Sequence, residues 1–96
     1  MKNLARICLL FVSINFGSAA LAQDCFADYK AKKDGPLRLH YGVLELRSGC
    51  SKSAARQEVG ERLSAKGWIL LNIVSVFGPD GLEQRKDSAG KFFLRF

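Results

Sequence analysis

Apolar positions concentrate in one stretch, Ser51 to Phe77, and their spacing changes partway along it. Ala55, Val59 and Leu63 recur every fourth residue, a narrow stripe that fits one side of an α-helix. Gln57, Glu61 and Ser64 fall opposite, toward water. Ser51 or Ser53 supplies a hydroxyl for the exposed amides of the first turn. Glu58 and Arg62 are spaced i,i+4 in the favourable order, and Gly67 follows Lys66 as a helix stop. Gly60 inside the helix costs about 1 kcal/mol against alanine, which predicts close approach to a sheet there. Past Gly67 the pattern becomes a continuous apolar run, Trp68 to Phe77. Read as a strand, it places Trp68, Leu70, Val74 and Val76 on one face and Ile69, Leu71, Ile73 and Phe77 on the other. A strand apolar on both faces is covered twice. The helix supplies one cover. The second is expected from an N-terminal arm carrying Phe26 and Tyr29, or from a second copy of the chain in a twofold homodimer.

Outside this unit the pattern is weaker. Leu37 to Arg47 alternates as a strand, with Leu39, Tyr41 and Val43 on one face and His40, Leu44 and Leu46 on the other. That arrangement needs both sides partly covered, or a bulge at Gly42. Asp24 to Asp34 is polar and lysine-rich, with Phe26 and Tyr29 three apart, and predicts a short helix or an ordered arm. Gly35-Pro36 ends it. Gly78 to Gly81 reads as a turn and Leu82 to Ala89 as a mostly exposed helical connector stopped by Gly90. Lys91 to Phe96 alternates as a closing strand, with Phe92, Leu94 and Phe96 on one face. The expected fold is α+β: a three-stranded, mainly antiparallel sheet with one main helix on a face, the first strand pairing with the last.

The beginning of the chain alters how much of it folds. Residues 1–22 read as a cleaved signal peptide, with Lys2 and Arg6 in front, an apolar centre from Ile7 to Phe16, and Ala20-Leu21-Ala22 as the small-x-small cleavage pattern. A bilayer-spanning helix needs about 20 apolar residues, and Ser13, Asn15 and Gly17 interrupt this one. Cleavage leaves residues 23–96, room for one small domain: an arm over 23–36 and an α+β domain over 37–96. The expected location is periplasmic or secreted, with no transmembrane segment in the mature chain. Cys8 departs with the leader, so the remaining pair, Cys25 and Cys50, is expected to form a disulfide. Loop entropy makes such a bridge worth roughly 3–4 kcal/mol. That weight matters in a domain too short to bury a large core.

Charge adds a weaker signal. The chain has 15 Lys and Arg against 9 Asp and Glu, and losing Lys2 and Arg6 leaves thirteen against nine. The mildly basic balance favours anionic polymers or lipid headgroups. Lys30, Lys32, Lys33 and Arg38 form the basic cluster, with Tyr29 as its aromatic member, and read either as solvated surface or as an anion-binding patch. No sequence rule sets a serine, cysteine or carboxylate beside His40, so it reads as structural. There is no C-x-x-C, phosphate loop, catalytic carboxylate pair or metal-ligand cluster. The expectation is a protein that is not an enzyme, holds no cofactor or metal, and, as an exported protein, does not bind nucleic acid.

Tyr41-Gly42-Val43-Leu44-Glu45-Leu46, a helix, Lys66-Gly67-Trp68-Ile69-Leu70-Leu71 and a closing Phe93-Leu94-Arg95 resemble a small strand–helix–strand–strand family of uncharacterised bacterial domains, whose most recognisable feature is Gly-Trp joining helix to strand. The likeness covers about Leu39 to Phe96. The helix, through its Ala55 to Gly67 spacing, is also similar to sporulation-related repeat domains that bind peptidoglycan, although a second strand–helix–strand half is absent here. The former family implies no catalytic residues. Together these readings predict an exported structural or protein-interaction module; the alternative is a binder of anionic envelope polymer, peptidoglycan or a lipid headgroup surface, through the basic cluster. A second copy, an envelope polymer and an envelope protein are the partners left open.

Overall fold

The computed structural model describes residues 24–96, so the signal-peptide reading of residues 1–22 lies outside them. The fold is α+β. Three strands, β1 (Cys25–Lys33), β2 (Arg38–Leu46) and β3 (Ile69–Phe77), form an antiparallel sheet in the order β2-β1-β3. Helix α1 (Lys52–Ser64) connects β2 to β3, and α2 (Glu83–Ala89) follows β3. Among the described residues no helix is long and apolar enough to cross a membrane.

The segment expected to be an arm is instead the central strand. Its alternation is easy to miss, because the side facing α1 is built from small residues: Ala27 and Ala31 are completely buried beside Cys25 and Tyr29. Small side chains let Ala55, Val59 and Leu63 of α1 approach the sheet, and these join Leu44, Leu46, Ile73 and Trp68 in the main core. Phe26 and Tyr29 therefore do not fold over the sheet as a cover; they lie within it, on opposite faces. Tyr29 pairs across to Gly42, and a Cβ at Gly42 would meet Tyr29 Cζ at 2.6 Å. The β1–β2 register runs unbroken through this pair, so Gly42 marks room for a ring and not a bulge.

Bulges occur on the other side. The β1–β3 register shifts between Asp28 and Tyr29 and again between Lys30 and Ala31. Leu71 and Val74 are the extra residues and stand half exposed, while Leu70, Ile73 and Val76, three apart, meet the α1 core. Simple alternation had joined Val74 to Leu70 and Val76 and put Ile73 opposite them. The bulges also roughen this free edge against further strand addition.

Part of the second sheet face is covered within the chain. Ala89 of α2, with Leu82 and Phe93, packs on Phe26, Val43, Tyr41 and Phe77. The connector is thus a cover. A buried carboxylate fastens it: Asp28 accepts from Ser75 Oγ (2.6 Å), Tyr41 Oη (2.7 Å) and Arg85 Nε (3.1 Å). Burial raises the Asp28 pKa, but the Ser75, Tyr41 and Arg85 contacts outweigh it and hold the carboxyl below its usual range. Glu58 does the same for α1, accepting from the Arg47 and Ser48 amides (both 2.9 Å) and from Arg62 (2.8 Å). Ser51 caps that helix, accepting from Ala54 N at 3.0 Å. A methyl at Gly60 would meet Leu70 only at 3.8 Å, so the expected tight approach there is not present.

Lys91 to Phe96 does not become a sheet strand. It makes one bridge, Val43 to Phe93, with Leu94 N donating to Val43 O at 2.9 Å. Leu94 takes a positive φ of 55°, and the segment crosses the β2 edge so that Phe93 joins the α2 side while Phe92 and Phe96 join the α1 side. The expected first-to-last pairing is reduced to this bridge; β1 pairs with both neighbours instead. Cys25 and Cys50 form the disulfide, Cα atoms 5.9 Å apart, linking the start of β1 to the loop before α1.

Candidate functional site: a basic aromatic cleft

At the end of the sheet where the β1–β2 turn lies, on the α1 side, the chain forms an open cleft of about 590 Å³. Four separate elements supply its walls. Lys33 ends β1 and Arg38 begins β2; Lys66 and Trp68 come from the α1–β3 junction; Lys91, Phe92, Arg95 and Phe96 come from the C-terminal segment, with Leu39 at the lip. Each arrives for a local reason. The positive φ of Gly67 (83°) reverses the chain after α1 and sets Trp68 against the core. The anchored α2 delivers the C-terminal segment across the β2 edge.

The floor is aromatic. His40 stacks on Phe92 (centroids 3.7 Å, interplanar 13°) and meets Trp68 edge-on at 4.3 Å. His40 Nε2 and the completely buried Tyr29 hydroxyl share a hydrogen bond at 2.9 Å, while Nδ1 is buried without a partner. Burial, reinforced by Lys33, lowers the His40 pKa to about 4, so the ring is neutral at physiological pH. Burial likewise raises the Tyr29 pKa. This pair is wedged among rings and serves as the support of the floor.

The rim is cationic. Lys33 Nζ stands 4.6 Å from the Trp68 ring centroid and Arg38 Cζ 5.8 Å from it, and Lys91 Nζ lies 5.5 Å from the Phe92 ring. Ring faces hold such cations weakly where solvent reaches them. Five positive side chains surround the cleft, and its lining contains no acidic side chain. Among the described residues no group of three or more His, Cys, Asp or Glu is placed to hold a metal ion.

The sequence cluster is divided by the strand's own alternation. Lys33 and Arg38 line the cleft, whereas Lys30 borders a shallow groove with Leu39 and Leu71 on the opposite face. Lys32 belongs to that opposite face as well and pairs with Asp34 at 3.4 Å. Lys66, Lys91 and Arg95 were missed because nothing local joins three residues so far from Lys33 in sequence. The one available signal was Lys91-Phe92-Phe93-Leu94-Arg95-Phe96, in which cations flank aromatics more often than a core strand allows.

The fold and cleft define a small disulfide-closed α+β domain with a basic aromatic cleft. No family model, curated protein or solved structure matches the chain.

Proposed function

We propose that this chain is an exported, non-catalytic binding module whose cleft holds a strand of anionic envelope polymer. The observation that carries the reading is the convergence of Lys33, Arg38, Lys66, Lys91 and Arg95 on one aromatic-floored cleft with no acidic side chain in its lining. Like charges held this close repel, and an anion in the cleft relieves the repulsion. The volume falls within the range of ordinary ligand sites. The Cys25–Cys50 bridge supports an oxidising compartment outside the cytoplasm. The geometry favours this reading over the plain interaction module with which the sequence begins.

The test compares retention of the wild type and a Lys91→Gln/Arg95→Gln variant on peptidoglycan and on a soluble polyanion such as heparin. Both side chains are exposed, so the variant should keep its circular dichroism and unfolding midpoint. Binding should weaken about three- to tenfold for the pair and fall for both proteins as salt is added. Equal retention of the two proteins across the salt series would refute the proposal.

A further inference from the structure

The opposite sheet face carries a second surface that the cleft does not use. At the end where α2 no longer covers it, the cross-strand rows read Leu39–Lys32–Ile69 and Tyr41–Lys30–Asn72, with Leu71 beside them at the bulge. Leu37, Leu39, Ile69 and Leu71 are 63%, 66%, 49% and 50% exposed. The row centres are lysines, and their flanks are leucine and isoleucine in one row, tyrosine and asparagine in the other. The turn places Leu37 at the tip of the same end, outside any strand.

We infer that this half-face and the β1–β2 turn seat on an anionic bilayer surface. Leucines displayed at this exposure contribute little to holding a hydrated polymer, but they gain by entering the boundary between headgroups and acyl chains. Lysines beside them lay their apolar stems along that boundary and carry their ammonium groups to lipid phosphates. A second copy fits less well. Twofold pairing of this face would set Lys30 and Lys32, at the middle of the patch, against their own equivalents, and Asp34 at the turn is already paired with Lys32. An anionic lipid layer matches both halves of the pattern. The inference is independent of the cleft.

Co-sedimentation of the purified protein with vesicles of phosphatidylglycerol and phosphatidylcholine, and with phosphatidylcholine alone, tests it. The wild type should bind the anionic vesicles and leave the zwitterionic ones. Lys30→Gln/Lys32→Gln should bind about thirtyfold more weakly, about fivefold for each charge near the surface. Leu37→Ser/Leu71→Thr should bind at least tenfold more weakly, with heparin binding and the unfolding midpoint unchanged, because neither leucine lines the cleft or lies in the core. Unchanged vesicle binding in either variant overturns the inference, as does a wild type that ignores anionic vesicles at low salt. Light scattering that finds a micromolar dimer abolished by the leucine changes also overturns it, in favour of a second copy.

Discussion

His40 shows how one side chain ties the floor of the cleft to pH. Its pKa drops from the ordinary 6.5 to about 4 because burial, then Lys33, opposes a second proton. Above pH 6.5 the ring is neutral folded or unfolded and contributes no pH dependence. As the pH falls toward 4, the unfolded chain takes up a proton that the folded chain refuses, so stability is lost through that window. Allowing for the ring's partial exposure, the loss should be about 1–2 kcal/mol. Asp28 and Glu58 act lower down: their depressed pKa values remove stability only as the pH falls past their ordinary 3.8 and 4.5. Urea unfolding midpoints between about pH 7.5 and 5 should therefore decline in the wild type and stay nearly level in His40→Gln. An identical decline in both would assign the effect to another group. From the sequence, His40 reads as a packed strand residue, but its companions were not legible, since Phe92 and Phe96 reach it only by crossing the sheet edge.

Among the elements, α2 is the one whose role depends most on a single contact. Its seven residues bury only Ala89, too little apolar surface to hold a helix on a sheet. Arg85 makes up the difference, stacking 3.9 Å from the Phe77 ring and reaching Asp28 and the Gly81 carbonyl. Arg85→Met keeps the stem on Phe77 but leaves Asp28 buried without its cation. The expected cost is about 2–3 kcal/mol, read from denaturant unfolding, together with faster amide exchange in α2 than in α1. Equal exchange in the two helices would show that α2 is held by something else. Helix α1 was legible from its stripe, its serine cap and Gly67, because each of those signals is local. Strand β1 was not: alanines under a helix do not register as a hydrophobic face, and Asp28, Lys30 and Lys32 made the other face look like a solvated arm. The bulges in β3 were equally hidden, since a shift of pairing leaves a run of apolar residues looking the same. The C-terminal alternation was real but served two sides of an edge instead of one strand.

At the scale of the molecule, the fold class and the disulfide were legible, while the strand order was not, because the lysine-rich segment proved to be the centre of the sheet. The cleft was half legible through Lys33 and Arg38. Its remaining cations are gathered by topology from the α1–β3 junction and the C-terminal segment. The position of the disulfide has a further consequence, for a chain that has been cut. Cys25 and Cys50 close a ring around the whole β1–β2 hairpin, whose exposed turn is flanked by Lys33 and Arg38. A protease with trypsin's preference should sever that turn without releasing anything, since the fragment carrying the central strand stays tethered at its far end and zipped to both neighbours. The nicked protein should migrate as one species on a denaturing gel until thiol is added. Once reduced it should come apart into two chains and lose its circular dichroism, because the lost piece is the strand on which both others pair. Separation without reductant would contradict the ring. In a compartment rich in proteases, such a protein outlives its first cut.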